Sequence, residues 1–273
     1  MQEAPLVSII IINYNTYATT VQCVESVIAH TRDLSFEIIL IENGTGQFHS
    51  DNVQSFGDHV GLLVSDTNLG FAGANNLGIR HASGTYILLL NSDIILKENS
   101  IKKTLDFLMT QPKAGVVSPR LVYPDGRVQS IAQRFPSPWY NLVELFRLQK
   151  LYSRKKAGRL LLGAFFDGKD TVEADWVWGA FFMIPAAVIR QLPGGQLDPA
   201  YFMYWEDVQW CLDVKKLGYK VFYFAGTEAI HLHEGSKGAK NELMEQNGKL
   251  FLNRNYSFAR RSLLKFTARL LDK

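Results

Sequence analysis

The sequence has little cysteine and no long apolar run. Its 273 residues include two cysteines, Cys23 and Cys211, which are too few and too far apart in sequence to form a disulfide framework. No stretch approaches the roughly 20 consecutive apolar residues that a membrane-spanning helix needs. The first residues carry no basic segment, and the apolar run at residues 6–12 is too short for the core of a signal peptide. These absences predict a cytoplasmic protein whose two cysteines are reduced and lie in or near the core.

A large excess of charge is also absent. The formal net charge of +3 does not indicate a protein that binds nucleic acid. Charged residues make up 20% of the chain and hydrophobic residues 47%, which argues against disorder and allows one large domain with an ample core.

Apolar runs typical of buried strands alternate with helical periodicity over the first 110 residues. The strand-like runs occupy residues 7–12, 37–42, 62–65 and 86–90, and the helical patterns cover residues 16–30, 71–81 and 100–109. This order predicts an α/β fold with a mostly parallel sheet flanked by helices. Ligands of such sheets bind beyond the carboxyl ends of the strands, so the polar residues there are candidate site residues.

The second half is less regular. Its predicted elements are an amphipathic segment at residues 139–152, strands at 176–184 and 221–224, and helices at 208–217 and 253–273. We predict a single domain over residues 1–240, with a regular half (1–110) and a less regular half (111–240). A basic amphipathic helical extension, residues 241–273, follows it.

Three polar clusters could carry chemistry. Asp93 leaves the strand-like run YILLL, where a carboxylate is well placed for a hard cation, although a loop acid would look the same. Glu206 and Asp207 begin a predicted helix, either as a general base or as acids that offset the helix dipole. His231 and His233 follow the last strand, and an imidazole beside a carboxylate suits Mn²⁺ better than Ca²⁺.

Residues 68–76, NLGFAGANN, form a run of small and amide side chains at the start of a predicted helix. Small residues let a ligand's phosphate approach the backbone closely. The run does not match the dinucleotide-binding glycine pattern and lacks the lysine of a phosphate-binding P-loop. Tight packing of a helix on the sheet is therefore an equal alternative.

Seven segments in this order resemble the family 2 glycosyltransferases, which have the GT-A (nucleotide-diphospho-sugar transferase, Rossmann-like) fold. They are VSIIIINYN (7–15), IENGTG (41–46), NLGFAGANNLGIRHASG (68–84), YILLLNSDI (86–94), DWVWGAFFMI (175–184), YFMYWEDVQWCLDVKKLGYKVFY (201–223) and IHLHEGS (230–236). Residues 118–138, SPRLVYPDGRVQSIAQRFPSP, further resemble the rhamnosyltransferase-like subgroup. The resemblance covers roughly residues 5–240. It implies that residues 1–110 are the nucleotide-binding half and residues 111–240 the acceptor-binding half.

The resemblance implies a binding site for a nucleotide sugar. The residues that match it are Asn13, Asn15, Glu42, Asn68, Gly70, Asn75, Asn91 and Asp93. Residues 91–93 match the family's DxD motif with Asn in place of the first acid, so Asp93 keeps the metal-binding role. His231 matches the family's C-terminal metal-binding histidine, with His233 as a rival, and the implied cofactor is Mn²⁺ or Mg²⁺.

The resemblance also implies the catalytic side. Asp207 matches the base of inverting members, and Glu206 is the second candidate. The acceptor-binding residues would be Asp175, Trp176, Trp178 and Gly179. The implied reaction transfers a sugar, rhamnose from dTDP-rhamnose by subgroup likeness, to a glycan or a polyprenyl-diphosphate-linked acceptor in cell-surface polysaccharide synthesis. A UDP-linked hexose donor is the alternative.

Two other functions compete with this interpretation. A nucleotidyltransferase would need a basic, glycine-rich loop after the first strand, whereas this chain has NYNTYATT there. A non-catalytic glycan-assembly protein would be marked by a missing acid, whereas Asp93, Glu206 and Asp207 are all present.

The last predicted helix carries six Arg and Lys residues beside an apolar stripe. It is either a helix packed on the domain with solvated basic residues or a peripheral contact with the inner face of the cell membrane. Self-association into an oligomer stays open at this stage.

Overall fold

The computed structural model describes residues 5–232 and 240–271. Nine strands of these residues form one mixed sheet in the order β3-β2-β1-β4-β10-β6-β11-β5, with β8 pairing on β11. The strands of this sheet are β1 (Val7–Asn13), β2 (Phe36–Asn43), β3 (Val60–Ser65), β4 (Tyr86–Asn91), β5 (Ile94–Ile95), β6 (Ala114–Val122), β8 (Val172–Ala174), β10 (Phe181–Pro185) and β11 (Lys220–His231). A separate two-stranded sheet joins β7 (Ala132–Gln133) to β9 (Trp176–Val177).

The helices pack around this sheet. They are α1 (Tyr17–His30), α2 (Ser50–Gln54), α3 (Gly70–His81), α4 (Ser100–Thr110), α5 (Pro138–Leu145), α6 (Arg154–Leu161), α7 (Ala186–Ile189), α8 (Glu206–Lys216), α9 (Lys240–Asn255) and α10 (Phe258–Leu271), with short 3₁₀ turns at Leu148–Leu151, Gly163–Phe165 and Pro193–Gly195. Of the helices described, none is long and apolar enough to cross a membrane.

The first half has the predicted parallel sheet. β1 pairs in parallel with both β2 and β4, and β2 pairs in parallel with β3. The apolar runs of β1 and β4 are buried almost completely because each strand has neighbours on both edges and packed side chains on both faces.

The second half departs from the predicted pattern at two points. β10 is antiparallel and lies between β4 and β6, so the two predicted halves share one sheet. The strand expected at residues 176–184 is instead β9 and β10, which are separated by residues 178–180.

The C-terminal helix is also divided in two. A single helix was expected at residues 253–273. In the structure α9 ends at Asn255 and a separate helix, α10, begins at Phe258. A second hydrophobic cluster lies where α9 and α10 pack on the start of α8. Its buried members are Tyr201, Val208, Phe251, Tyr256 and Leu264.

Candidate active site

The carboxyl ends of three parallel strands bring polar side chains together at one edge of the sheet. The strand register places Asn13 opposite Glu42, and it places Ile12, the residue before Asn13, opposite Asn91. A ligand bound across this edge would meet residues from all three strands, as the topology of parallel sheets predicts.

Glu42 is the best-satisfied acid at this edge. It is fully buried, and its Oε2 accepts hydrogen bonds from Asn13 Nδ2 at 2.8 Å and from the Phe48 backbone N at 3.0 Å. Its Oε1 accepts from the Thr45 backbone N at 2.8 Å, from the Gly46 backbone N at 3.1 Å and from the Thr45 hydroxyl. Burial would raise the pKa of Glu42, but these hydrogen bonds outweigh it and hold that pKa below its ordinary value.

Glu42 therefore shapes the loop at residues 45–48, and its oxygens are engaged by the protein itself. Asn13 is likewise fully buried, and its Oδ1 accepts from the hydroxyls of Thr16 and Thr20. The pair was predicted to line the nucleotide pocket. That role stays a prediction, and both side chains are buried with their polar atoms hydrogen-bonded within the protein.

Asn68, Gly70 and Asn75, which were predicted to contact the nucleotide, have different surroundings in the structure. Asn68 Oδ1 accepts from the Gly70 backbone N at 2.9 Å and from Asn43 Nδ2 at 3.0 Å, so Asn68 ties the end of β2 to the start of α3. Gly70 has φ +69°, and a Cβ there would lie 2.4 Å from the Phe202 carbonyl oxygen, so only glycine fits. Asn75 is 1% exposed and donates to the Phe71 carbonyl in its own helix, and its predicted contact with the nucleotide stays a prediction.

Aromatic side chains at the end of β1 are accessible to a ligand, and the sequence reading did not single them out. Tyr14 and Tyr17 are 42% and 41% exposed, and Tyr17 packs on Phe48 with ring centroids 4.7 Å apart. Between them, Asn15 is exposed with φ +57°. The sequence could have indicated these tyrosines only by their position shortly after the buried strand β1.

Asp93 and His231 form a buried pair. His231 Nε2 lies 3.3 Å from Asp93 Oδ1, and the two residues are 5% and 7% exposed. The pairing of β5 with β11 sets this contact, since His231 is the register partner of Ile94.

Gln129 orients the imidazole, and its role was not anticipated. Its Nε2 donates to the His231 carbonyl at 2.9 Å, which leaves its Oε1 facing His231 Nδ1 at 2.7 Å. An amide oxygen only accepts, so Nδ1 carries the hydrogen and Nε2 is the atom turned to Asp93. A carboxylate and an imidazole nitrogen that face each other in this way suit a shared cation, and an oriented imidazole is typical of metal sites.

This pair could supply two protein ligands to a metal ion. Within residues 5–232 and 240–271, no group of three or more His, Cys, Asp or Glu side chains is arranged to hold a metal ion. His233, the predicted rival of His231, lies outside the described residues. Any metal at Asp93 would therefore take several of its ligands from a bound molecule and from water, as Mg²⁺ commonly does in enzymes that act on phosphates.

Asp207 and Glu206 lie in a poorly solvated environment at the start of α8. Asp207 Oδ2 accepts from the Gly179 backbone N at 3.2 Å, and its Oδ1 accepts from the Val208 backbone N at 2.8 Å. Burial raises the pKa of Asp207 to about 6, and these two bonds only partly oppose it. Glu206 is 6% exposed, and among the described residues no hydrogen-bond partner meets its buried Oε2.

Burial, and after it the negative charge of Asp207, raise the pKa of Glu206 well above its ordinary value. Perturbed carboxyl groups of this kind are concentrated at functional sites. Asp207 is the better candidate for a base because it is partly exposed, whereas Glu206 is enclosed.

Residues 178–180, between β9 and β10, connect the three parts of the site. The Trp178 ring packs edge-on against the His231 ring with centroids 6.3 Å apart. The Gly179 backbone N binds Asp207, and the Ala180 carbonyl accepts from the Asn91 backbone N at 2.9 Å. Three consecutive residues thus contact the imidazole, the candidate base and the first residue of the Asn91-Ser92-Asp93 motif.

Asp175 and Trp176, which were predicted to bind the acceptor, make hydrogen bonds and ion pairs beside the small sheet of β7 and β9. Asp175 Oδ2 accepts from the Phe135 backbone N at 2.9 Å, and its Oδ1 lies 3.5 Å from Arg134 Nη1 and 3.6 Å from Lys215 Nζ. Trp176 Nε1 donates to the Arg134 carbonyl. Their predicted contact with the acceptor stays a prediction, whereas Trp178 and Gly179 lie beside His231 and Asp207.

Comparison with known proteins identifies a family and a fold. A family model described as glycosyl transferase family 2 matches residues 8–167. The chain is 25% identical over 251 residues to an uncharacterized protein of Sinorhizobium fredii, covering 87% of this chain and 26% of that protein. It is 24% identical over 229 residues to the N-acetylglucosaminyl-diphospho-decaprenol L-rhamnosyltransferase of Mycobacterium tuberculosis, covering 74% of this chain and 68% of the relative.

Among solved structures, the chain resembles GalNAc-T7 with UDP, GalNAc and Mn²⁺. The TM-score is 0.66 at 14% identity, and the match covers 92% of this chain and 48% of that one. At this identity the likeness shows the fold alone, which is the predicted GT-A fold. The chain spans about a quarter of the length of the Sinorhizobium relative and about half of the GalNAc-T7 chain.

Proposed function

The chain belongs to glycosyl transferase family 2, and we propose that it is an inverting, metal-dependent enzyme that moves a sugar from a nucleoside diphosphate to an acceptor hydroxyl. The observation that carries this proposal is the contact of residues 178–180 with Asn91, Asp207 and His231. The proposed cation-binding pair and the proposed base thus lie next to the same three residues.

In the proposed reaction, Asp207 removes the proton from the acceptor hydroxyl. The acceptor oxygen forms a bond to the anomeric carbon while the bond from that carbon to the diphosphate oxygen breaks. Attack from the face opposite the diphosphate inverts the anomeric centre. With a pKa near 6, Asp207 is mostly ionised at neutral pH and is more basic than an ordinary aspartate, which favours proton removal.

The residues present fit a divalent cation, Mn²⁺ or Mg²⁺. Asp93 Oδ1 and His231 Nε2 would hold it, with Gln129 keeping the imidazole in the required tautomer. When bound, such a cation stabilises negative charge on the leaving diphosphate, an effect of several kcal/mol. The solved GalNAc-T7 structure contains Mn²⁺ and UDP, which supports this assignment.

For the donor we propose dTDP-rhamnose, and for the acceptor a glycan or a polyprenyl-diphosphate-linked sugar of cell-surface polysaccharide synthesis. The support is the likeness to the mycobacterial L-rhamnosyltransferase and the rhamnosyltransferase-like segment at residues 118–138. A UDP-linked hexose is the second candidate, favoured by the likeness to the 22% identical low-salt glycan hexosyltransferase of Haloferax volcanii.

A lipid-linked acceptor would be met at a membrane surface, and we propose a peripheral contact through α10 on the inner face of the cell membrane. Phe258 and Phe266 are 77% and 60% exposed on this helix, among Arg260, Arg261 and Lys265. Each basic residue near an anionic surface adds roughly 1 kcal/mol of attraction. We expect the protein to sediment with anionic vesicles and a Phe258→Ser/Phe266→Ser variant to remain in the supernatant. Equal sedimentation of both would contradict the contact.

The proposed activity is tested by incubating the protein with dTDP-rhamnose, UDP-hexoses and GDP-sugars, each with Mn²⁺, Mg²⁺ or EDTA. We expect one donor to raise the melting temperature by mass action, and only with metal. That donor should then release nucleoside diphosphate faster when an acceptor is added. Release of pyrophosphate from a nucleoside triphosphate and sugar phosphate would instead indicate a nucleotidyltransferase, and binding without turnover a non-catalytic protein.

A further inference from the structure

The turn that leads into α8 has a strained backbone. Tyr204 and Trp205 have φ of +69° and +72°, so two bulky residues in succession adopt the left-handed conformation that favours glycine. Such a pair persists only where neighbouring groups hold it in place. Glu206 and Asp207 follow directly, so any relaxation of this turn would move both carboxyl groups.

Asn247, on α9, fastens this turn. Its Nδ2 donates to the Met203 carbonyl at 2.8 Å and to the Tyr204 carbonyl at 3.2 Å, and the residue is 9% exposed. One buried amide group therefore binds two successive carbonyls of the strained segment. Because a side-chain amide has two hydrogens to donate, both contacts form at once.

The indole of Trp205 is held by the same helix. A Cβ on Gly248 would lie 3.0 Å from Trp205 Cζ2, so the helix backbone approaches the indole closely at this position. The Trp205 and Phe251 rings pack with centroids 5.3 Å apart, and Phe251 is fully buried. Residues 247, 248 and 251 thus form one face of α9 against the turn.

We propose that α9 positions the catalytic base, with Asn247 holding the left-handed turn that sets the direction of Asp207. The Gly179 N to Asp207 Oδ2 bond of 3.2 Å is the contact that a shifted turn would break first. This inference rests on the proposed function. It concerns a helix outside residues 8–167, the part that the family model matches.

The test compares Asn247→Ala and Asn247→Asp with Asn253→Ala. Asp keeps the size of Asn but cannot donate, and Asn253 is an exposed amide on the same helix that accepts from Arg261. All variants are assayed well below their melting temperatures, so that loss of folded protein does not contribute. We expect Asn247→Ala and Asn247→Asp to lower kcat by about tenfold or more, with the KM for the donor within twofold of wild type. Asn253→Ala should leave both unchanged.

Hydrogen exchange of the peptide at residues 203–210 gives a readout that does not depend on activity. We expect faster exchange in Asn247→Ala and wild-type exchange in Asn253→Ala. Unchanged exchange in Asn247→Ala, or a kcat within threefold of the Asn253→Ala value, would overturn the inference. If the wild-type protein transfers no sugar from any donor, the proposed function fails, and the exchange rates still decide whether Asn247 holds the turn.

Discussion

Glu42 and Asp207 differ in the number of hydrogen bonds that their carboxylates accept and in the direction in which their pKa values are shifted. The carboxylate of Glu42 accepts five hydrogen bonds, from Asn13, Thr45, Gly46 and Phe48, and its pKa is lowered. Asp207 accepts two backbone hydrogen bonds, from Gly179 and Val208, and its pKa is raised. Burial acts to raise the pKa of both groups, so the number of hydrogen-bond donors decides which form each acid prefers.

From this difference in hydrogen bonding we infer that Glu42 stabilises the fold, whereas Asp207 is the proposed base. A carboxylate whose oxygens are all engaged gains nothing from a proton and has no direction left for a substrate. A carboxylate with few donors in a dry site is a stronger base and can exchange its proton with a hydroxyl. Burial alone does not set the direction of such a pKa shift, since Glu42 and Glu206 are both almost fully enclosed and their pKa values move in opposite directions.

The largest expected effect is on the reactive side. Asp207→Asn keeps the shape of the side chain and removes the base, so we expect turnover to fall at least about a hundredfold. Donor binding, measured by calorimetry with Mn²⁺, should stay near wild type. The exposed acid Asp106 on α4 provides the control variant Asp106→Asn, which should retain full turnover. Near-wild-type turnover of Asp207→Asn would remove the base assignment.

On the structural side, Glu42→Ala should act on stability. It leaves several buried donors without an acceptor, so we expect the free energy of unfolding to fall by roughly 2–4 kcal/mol. Urea unfolding measures this, with Glu25→Ala on the exposed face of α1 as the control.

The pH dependence of that loss sharpens the comparison. Because the folded state lowers the pKa of Glu42, its stabilisation is present above the unfolded value near 4.5 and disappears as pH falls through the folded value. The difference in the free energy of unfolding between wild type and Glu42→Ala should therefore become smaller at acidic pH. A gap that stays constant from pH 7 to pH 3 would show that the charge of Glu42 does not matter.

A smaller effect is expected at the cation-binding pair. Gln129→Leu removes the group that orients His231, and loss of such a partner typically weakens metal affinity by tenfold or more. We expect the Mn²⁺ concentration needed for donor binding to rise by about tenfold. Donor affinity in EDTA should not change, and Asp93→Ala should abolish the metal dependence altogether. An unchanged Mn²⁺ requirement in both variants would contradict the assignment of the pair.

The sequence predicted the parallel half of the fold closely because its strands are continuous apolar runs. β1, β2 and β4 have neighbours on both edges, so burial alone specifies them. β6 was missed because Gly115, Pro119 and Arg120 interrupt its apolar pattern, although its partners bury it. The strand expected at residues 176–184 is broken where Gly179 turns its N–H toward Asp207, a contact made 28 residues away in sequence.

The candidate site likewise contains residues that local sequence motifs indicate and residues whose contacts are distant in sequence. The motifs identified the side chains that differ from their surroundings, Asp93, Asp207 and His231. They did not identify Gln129 and Asn247, whose importance comes from what they bind in three dimensions. Nor did they indicate that Glu42 accepts five hydrogen bonds within the protein, because its donors come from the loop at residues 45–48 and from Asn13.

The smallest expected effect concerns Glu206, whose folded-state pKa is raised. Above the unfolded value near 4.5 the unfolded chain gives up this proton while the native protein keeps it, so rising pH destabilises the fold. Glu206→Gln does not titrate and escapes this loss. We expect its melting temperature to exceed that of wild type by a few degrees at pH 8, a change on the order of 1 kcal/mol, and the difference to vanish near pH 4.5. Glu25→Gln, on an exposed helix face, should show no such trend. A Glu206→Gln variant that is less stable than wild type at pH 8 would mean that the charged form of Glu206 is favoured in the native protein, and the contrast with Glu42 would no longer hold.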